Sequence, residues 1–227
     1  MRSKHPLSGP PREMYGIGRV EAFSDGVIAV AITLLVLDLR VPEPSDGGSL
    51  AHRLLELWPN YLAYAISFLA IGIMWINHHA ALRRLKSVDH TLLVVNLLLL
   101  LCIVALPFST SLFATYLDVE PGGHLAAVVY AGSFLVTSVV FLGLQFLIIV
   151  RKPHLLRVPL TRGRQRSLLL RGAVAVPTYL VAALLGLLTP LLTLAVCIVL
   201  GVFYFIPFRP TGPSMPEPAE DAGLDDS

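Results

Sequence analysis

Six long apolar runs, separated by short polar connections, dominate the pattern of hydrophobic and polar positions along the chain. They cover residues 20–41, 58–79, 90–114, 122–150, 168–188 and 190–207. A bilayer core about 30 Å thick needs roughly 20 apolar residues in each crossing helix. Five runs reach that length and the last approaches it. The pattern therefore predicts an all-α integral membrane protein with six transmembrane helices.

The composition supports a membrane protein and argues against most other classes. Hydrophobic residues make up 55% of the chain and charged residues only 14%, whereas soluble domains average about 25% charged residues. Cys102 and Cys197 both fall inside apolar runs, which predicts reduced packing residues and no disulfide or metal framework. Because no nucleotide-binding loop or metal-ligand motif is visible, we expect no enzymatic activity, no cofactor, no metal and no nucleic-acid partner.

The chain divides into three parts by composition. Residues 1–18 are polar and proline-rich, without the apolar core of a signal peptide, and are expected to form a cytoplasmic N-terminal segment. Residues 19–208 form the predicted six-helix transmembrane domain. Residues 209–227 are acidic and proline-rich and are expected to be a disordered cytoplasmic tail, since they cannot bury enough apolar area to fold.

The basic residues predict an orientation in the membrane. If six spans cross the bilayer, 15 of the 17 lysines and arginines lie on one side, and only Arg40 and Arg53 lie on the other. Cytoplasmic connections carry an excess of lysine and arginine. Both termini are therefore expected in the cytoplasm, with the chain crossing the cell membrane several times.

The start of the first run carries the most unusual polar pattern, Arg19-Val20-Glu21-Ala22-Phe23-Ser24-Asp25. An ionisable group at the mouth of a membrane helix is costly and marks a functional candidate. A buried Asp25 needs hydrogen-bond donors or a cation. The candidate donors, at the motif itself and at the end of the second run, are Arg19, Ser24, Trp75, Asn77, His78 and His79. We interpret them as a polar cluster that fixes the first helix to the second.

The downstream part of the first helix has two distinct faces. Residues seven apart lie on nearly the same helical face, so Phe23, Val30 and Leu37 form one stripe. Gly26 or Val27, then Thr33 and Leu34, complete it. Asp25 lies about 200° around the helix from Phe23 at 100° per residue. Small residues, Ala22, Gly26 and Ala29, permit close helix packing in lipid. One face is thus free to line a lumen while the other carries Asp25 against a neighbouring helix.

The chain resembles the prokaryotic transmembrane protein 175 family, potassium channels related to an endosomal and lysosomal channel of animals. The resemblance rests on Arg19, on Phe23-Ser24-Asp25 and the sequence GVIAVAITLLVLDL that follows, and on Trp75 and His78 in the second helix. It implies a homotetramer in which four copies of the first helix surround a central pore. It also implies passive conduction of potassium and other monovalent cations, in contact with membrane lipids.

The resemblance assigns roles to individual residues of the first helix. The pore of family members is narrowed by rings of branched apolar side chains, which correspond here to Val30, Leu34 and Leu37. Thr33 corresponds to a hydroxyl layer implicated in modest potassium-over-sodium selectivity. The first ring is usually isoleucine in the family, and Val30 is one methylene smaller. A hydrophobic ring of this kind blocks ions by excluding water.

Other interpretations of the same residues remain open. The apolar stripe also fits ordinary packing, and Thr33 also fits a threonine that bonds back to its own helix. A proton-coupled secondary transporter would use Asp25 as its carrier, but such proteins place ionisable groups near the middle of the membrane, and this chain offers no carboxylate there. A non-conducting membrane scaffold is the further alternative.

Overall fold

The computed structural model describes residues 16–39, 41–42, 49–119 and 121–205, and this part of the chain is helical. Most of the predicted N-terminal segment 1–18 and all of the predicted tail 209–227 lie outside the described residues. The helices are α1 (Ile17–Leu34, continued by a 3-10 turn Leu35–Asp38), α2 (Leu50–Glu56), α3 (Trp58–Leu82), α4 (His90–Tyr116), α5 (Gly123–Phe146, continued by a π-turn Leu147–Arg151), α6 (Arg162–Gly186) and α7 (Pro190–Phe205).

Five of these helices, α1, α3, α4, α5 and α6, are long and apolar enough to cross a membrane. The all-helical membrane architecture that the apolar runs predict is therefore confirmed. The sixth predicted span corresponds to α7, which is apolar and has 16 residues within the described part of the chain, where it reaches the last described residue. Its length falls below the roughly 20 residues that a full crossing needs.

Two helix starts differ from the pattern of apolar runs because polar caps determine them. The fifth run was expected to begin at residue 168, but α6 begins at Arg162, where the Thr161 hydroxyl accepts a hydrogen bond from the Arg164 amide at 3.4 Å. The short helix α2 lies in a connection that the apolar pattern leaves without structure. The Ser49 hydroxyl caps α2 by accepting from the His52 amide at 3.3 Å, a common N-cap arrangement.

A chain of aromatic rings fills the core between α4, α5 and α6. Tyr130 stacks on Phe113 with ring centroids 4.6 Å apart and meets Phe134 edge-on at 5.1 Å. Phe134 in turn stacks on Tyr179 at 5.3 Å. The buried Tyr130 hydroxyl lies 3.0 Å from the Ser67 hydroxyl, so its polar atom is satisfied. These contacts connect α3, α4, α5 and α6, and none of them involves α1.

The connection between α3 and α4 and the connection between α5 and α6 lie at the same end of the bundle. The Lys86 amide donates to the Leu155 carbonyl at 2.9 Å, and the Arg157 amide donates to the Arg84 carbonyl at 2.8 Å. The Lys152 ammonium also pairs with Asp89, which caps α4 through the Leu92 amide. Burial raises the pKa of Asp89, but the hydrogen bond from Lys152 and the cap outweigh it and lower the pKa overall.

Candidate pore helix and its anchoring networks

One face of α1 is buried against the rest of the chain and the opposite face is exposed. The buried residues are Ser24, Ile28, Ala31 and Leu35, which recur every three or four positions and contact α3 and α4. The exposed residues include Phe23, Val30, Thr33, Leu34 and Leu37. These five side chains are the stripe that the seven-residue spacing predicts. A largely apolar helix face is thus left uncovered by its own subunit.

Three small residues of α1, Ala22, Gly26 and Ala29, do not pack within the subunit. Ala22, Gly26 and Ala29 are all exposed, and no atom lies within 4 Å of the position that a Gly26 side chain would take. These residues lie outside the contact stripe within the subunit, which runs through Ser24, Ile28, Ala31 and Leu35.

A buried hydrogen-bond network joins α1 to α3 and α4. The Asn96 amide nitrogen donates to the Ser24 hydroxyl at 2.9 Å, and the Asn96 amide oxygen lies 2.7 Å from Nε2 of His78. All three side chains are buried. A hydrogen bond is worth most where water cannot compete, and a half-satisfied network is costly there. The three residues therefore fix the rotation of α1 relative to its two neighbours.

A second network lies beside the first and holds the carboxylates of α1. The Trp75 indole N–H donates to the Asp25 carboxylate at 2.8 Å. Nδ1 of His79 lies 3.1 Å from the Glu21 carboxylate and 3.8 Å from that of Asp25. The ring centroids of Trp75 and His79 are 5.7 Å apart. Each of the three ionisable side chains is about a quarter to a third exposed, so the network sits at a partly hydrated boundary.

The predicted polar cluster is therefore split and partly reassigned. Asp25 meets Trp75, while Ser24 and His78 meet through Asn96 instead. The Asn77 amide donates to the carbonyl of Ile73 in its own helix at 2.8 Å, and Arg19 is exposed. The residue that sequence reasoning missed is Asn96. Its signal was an amide alone in the run LLVVNLLLLL, which requires a polar partner when buried.

The Thr33 hydroxyl donates to the Val30 carbonyl one turn earlier in α1, at 2.8 Å. The hydroxyl hydrogen is thus bonded within the helix, as expected for a threonine that bonds back to its own helix. The Thr33 side chain nevertheless stays on the exposed face. The oxygen remains able to accept a hydrogen bond, since the helix uses only the donor. Among the described residues, no group of three or more His, Cys, Asp or Glu is placed to hold a metal ion.

Replacing Trp75 by phenylalanine is expected to lower the thermal stability of the purified protein. The change removes the only donor of the indole ring, and loss of a hydrogen bond to a charged acceptor costs about 1 kcal/mol where the acceptor is partly hydrated. The matched control is Trp58→Phe, because Trp58 and Trp75 are 42% and 39% exposed. Equal melting temperatures for the two variants would contradict an anchoring role for the Asp25–Trp75 bond.

The sequence and the fold of this chain are similar to those of known channels. The family described as endosomal/lysosomal potassium channel TMEM175 matches residues 19–107. A potassium channel of Streptomyces collinus is 40% identical over 187 residues, which cover 82% of this chain and 90% of that protein. The structure of a lysosomal potassium-selective channel TMEM175 homolog from Chamaesiphon minutus matches with a TM-score of 0.75 and 38% identity, over 83% of this chain and 96% of that one.

Animal relatives share a smaller part of the chain. The endosomal/lysosomal proton channel TMEM175 of Gallus gallus is 40% identical over 108 residues, which cover 44% of this chain and 22% of that protein.

A bundle of membrane-length helices that matches a solved channel over most of its length has the fold of a membrane channel subunit. The chain belongs to the TMEM175 family of potassium channels. Because this family consists of channels, the expectation that the chain is not an enzyme is confirmed.

Proposed function

We propose that this protein is a potassium-permeable cation channel whose pore is lined by α1 in a homotetramer of six-helix subunits. Both termini are in the cytoplasm and the subunits lie in the cell membrane. The observation that carries the proposal is the two-sided character of α1. One face is buried against α3 and α4, while Val30, Leu34 and Leu37 are exposed within the subunit. A single helix cannot enclose a lumen, so the exposed faces of several copies must surround it.

The sixth span in this proposal is α7. Its 16 residues rise about 24 Å, which is a few ångströms short of the hydrocarbon thickness. Membranes and helices adjust to such a mismatch at modest cost. With α7 as a span, the connections α3–α4 and α5–α6 are on the same side as both termini, which agrees with the backbone hydrogen bonds between these two connections.

The proposed gate consists of apolar rings. Side chains of Val30, Leu34 and Leu37 narrow the lumen, and a narrow apolar ring excludes water and blocks ions until it widens slightly. Potassium loses its hydration more easily than sodium, so a partly dehydrating ring favours potassium. Few oxygens replace the lost water, because the Thr33 hydroxyl is the one polar layer on this face. The selectivity is therefore modest.

The two anchoring networks hold the pore helix in this scheme. They attach the buried face of α1 to α3 and α4 through Asn96 and Trp75. Because Asp25 is engaged with Trp75, the carboxylate positions the helix and does not line the lumen. The ionisable groups lie at the two ends of this span, with Arg19, Glu21 and Asp25 at one end and Asp38 at the other, and the stretch between them is uncharged.

Ion flux into liposomes tests the proposed function. Purified protein is reconstituted, and potassium and sodium influx are compared under equal gradients. We expect passive potassium flux that exceeds sodium flux several-fold and needs no proton gradient. Absence of flux under any cation gradient would instead support a scaffold. Flux that depends on a proton gradient would support a coupled transporter.

A further inference from the structure

A cleft between α3, α5, α6 and α7 is lined by none of the residues of α1. Its walls are largely apolar, and the lining residues with polar side-chain atoms are Asn77, Arg84, Ser138, Gln145, Arg171, Tyr179 and Tyr204. The cavity has a volume of about 90 Å³ and is partly open to the surroundings. A cavity volume of about 10–15 Å³ is enough to hold a single water molecule. The cleft therefore has room for a phosphate-sized group but not for a whole phospholipid.

Two cations belong to the described lining of the cleft. Arg84 and Arg171 are both half-buried, and none of the described residues that line the cleft is acidic. Burial lowers the pKa of the Arg84 guanidinium, and the positive charge of Arg164 lowers it further. Arg171 also lies over the ring of Tyr204, 5.9 Å from its centroid. Guanidinium groups bind phosphate with two aligned N–H donors each, so an anion complements this site.

Gln145 adds a requirement for a hydrogen-bond donor. The residue is 8% exposed, and its side-chain oxygen accepts no hydrogen bond from the described residues. A Cβ added at Gly172 would lie 2.7 Å from that oxygen, so glycine is what allows the amide to occupy this position. A buried acceptor without a donor is costly. A ligand with a hydroxyl group would satisfy it.

The depth of the cleft matches the boundary between acyl chains and headgroups. Arg171 lies 15 residues before Gly186, the last residue of α6, which corresponds to about 22 Å along the helix. A hydrocarbon core of about 30 Å that ends near Gly186 on one side therefore places the backbone of Arg171 about 8 Å inside the opposite boundary, and a long arginine side chain reaches from that depth toward the headgroups. Arg84 is two residues beyond the end of α3. Arg84 thus lies near this boundary, and the side chain of Arg171 is long enough to extend toward it.

We propose that this cleft binds the headgroup of an anionic phospholipid that carries a headgroup hydroxyl, of the phosphatidylglycerol type. The phosphate accepts hydrogen bonds from Arg84 and Arg171, and the headgroup hydroxyl donates to the Gln145 side-chain oxygen. The acyl chains remain in the bilayer. This site goes beyond the proposed conduction and does not depend on it, since lipid binding is measured on protein that carries no current.

Titration of the full-length protein with lipids, followed by native mass spectrometry, tests the proposal. We expect phosphatidylglycerol to bind about tenfold more tightly than phosphatidylcholine. Arg84→Gln and Arg171→Gln should each weaken phosphatidylglycerol binding about tenfold, since each removes a charge-assisted hydrogen bond. The matched control is Arg83→Gln, because Arg83 is the neighbouring cation and is exposed. Its affinity should equal that of the unchanged protein.

Other lipids and variants identify what is recognised. Phosphatidic acid, which lacks the headgroup glycerol, should bind several-fold more weakly than phosphatidylglycerol, and Gln145→Leu should abolish this difference. Glycerol 3-phosphate, the free headgroup, should not compete at equal concentration. Equal affinities for phosphatidylglycerol and phosphatidylcholine would overturn the proposal, as would equal losses in Arg83→Gln and Arg84→Gln. Efficient competition by glycerol 3-phosphate would overturn the lipid as the source of the phosphate. If Arg84→Gln fails to fold, Arg171→Gln and Gln145→Leu decide the question.

Discussion

Leu34→Ala raises basal ion flux about tenfold and reduces the preference for potassium over sodium. Leu34 lies on the exposed face of α1, and truncation to alanine removes most of the apolar ring that it contributes four times in the proposed tetramer. A wider ring stays wet and no longer strips water from the ion. A tenfold change corresponds to about 1.4 kcal/mol of barrier. Val30→Ala should act in the same direction with a smaller effect, because valine fills less of the lumen.

The control for the gate is Leu101→Ala, which makes the same truncation at an exposed position of α4. Flux through this variant should equal that of the unchanged protein in the same liposomes. If Leu34→Ala and Val30→Ala conduct and discriminate as the unchanged protein does, the exposed face of α1 does not form the gate.

Asn96→Leu destabilises the protein by about 3 kcal/mol. The change removes the amide that donates to Ser24 and meets His78, and it leaves two buried polar groups without their partner. Each unsatisfied buried group costs about 1–3 kcal/mol. Thermal unfolding in detergent measures the effect. In a cycle with Ser24→Ala the two losses should be less than additive, because both remove the same bond.

Asn77→Leu provides the comparison for Asn96→Leu. The Asn77 amide bonds only to a carbonyl of its own helix among the described residues, so its loss should cost less than about 1 kcal/mol. A similar cost for both substitutions would show that the connection between α1, α3 and α4 contributes nothing beyond an ordinary polar contact.

The existence of the helices was predictable because the thickness of hydrocarbon sets the length of an apolar run. The exposed stripe of α1 was predictable for a similar reason, since Phe23, Val30 and Leu37 follow the period of the helix. Neither inference requires knowledge of a neighbour. The start of α6 was not predictable from hydropathy, because the Thr161 cap extends the helix into a polar segment.

The pairing of the polar residues was only partly predictable. The sequence indicates that Asp25 needs a partner, and the lone amide of Asn96 in an apolar run carries the same signal, which was missed. Which partner each finds depends on how α4 docks beside α1. The motif suggested one cluster around Asp25, whereas docking of α4 draws Ser24 and His78 into a separate bond with Asn96. Ala22 and Ala29 are small enough to permit close helix packing, but both are exposed within the subunit, because the contacts with α3 and α4 are made by another face of α1.

The most direct test of the proposed pore is the accessibility of cysteines at two nearby positions of the first helix. In a chain with Cys102→Ala and Cys197→Ala, Leu37→Cys and Leu35→Cys are compared, since Leu37 is 72% exposed and Leu35 is 0% exposed. A charged, water-soluble thiol reagent attacks thiolates and needs water to reach them. The proposal predicts that the reagent changes potassium flux through Leu37→Cys and leaves Leu35→Cys unaffected. Unchanged flux through modified Leu37→Cys protein, or no modification at this position, would contradict a pore lined by α1.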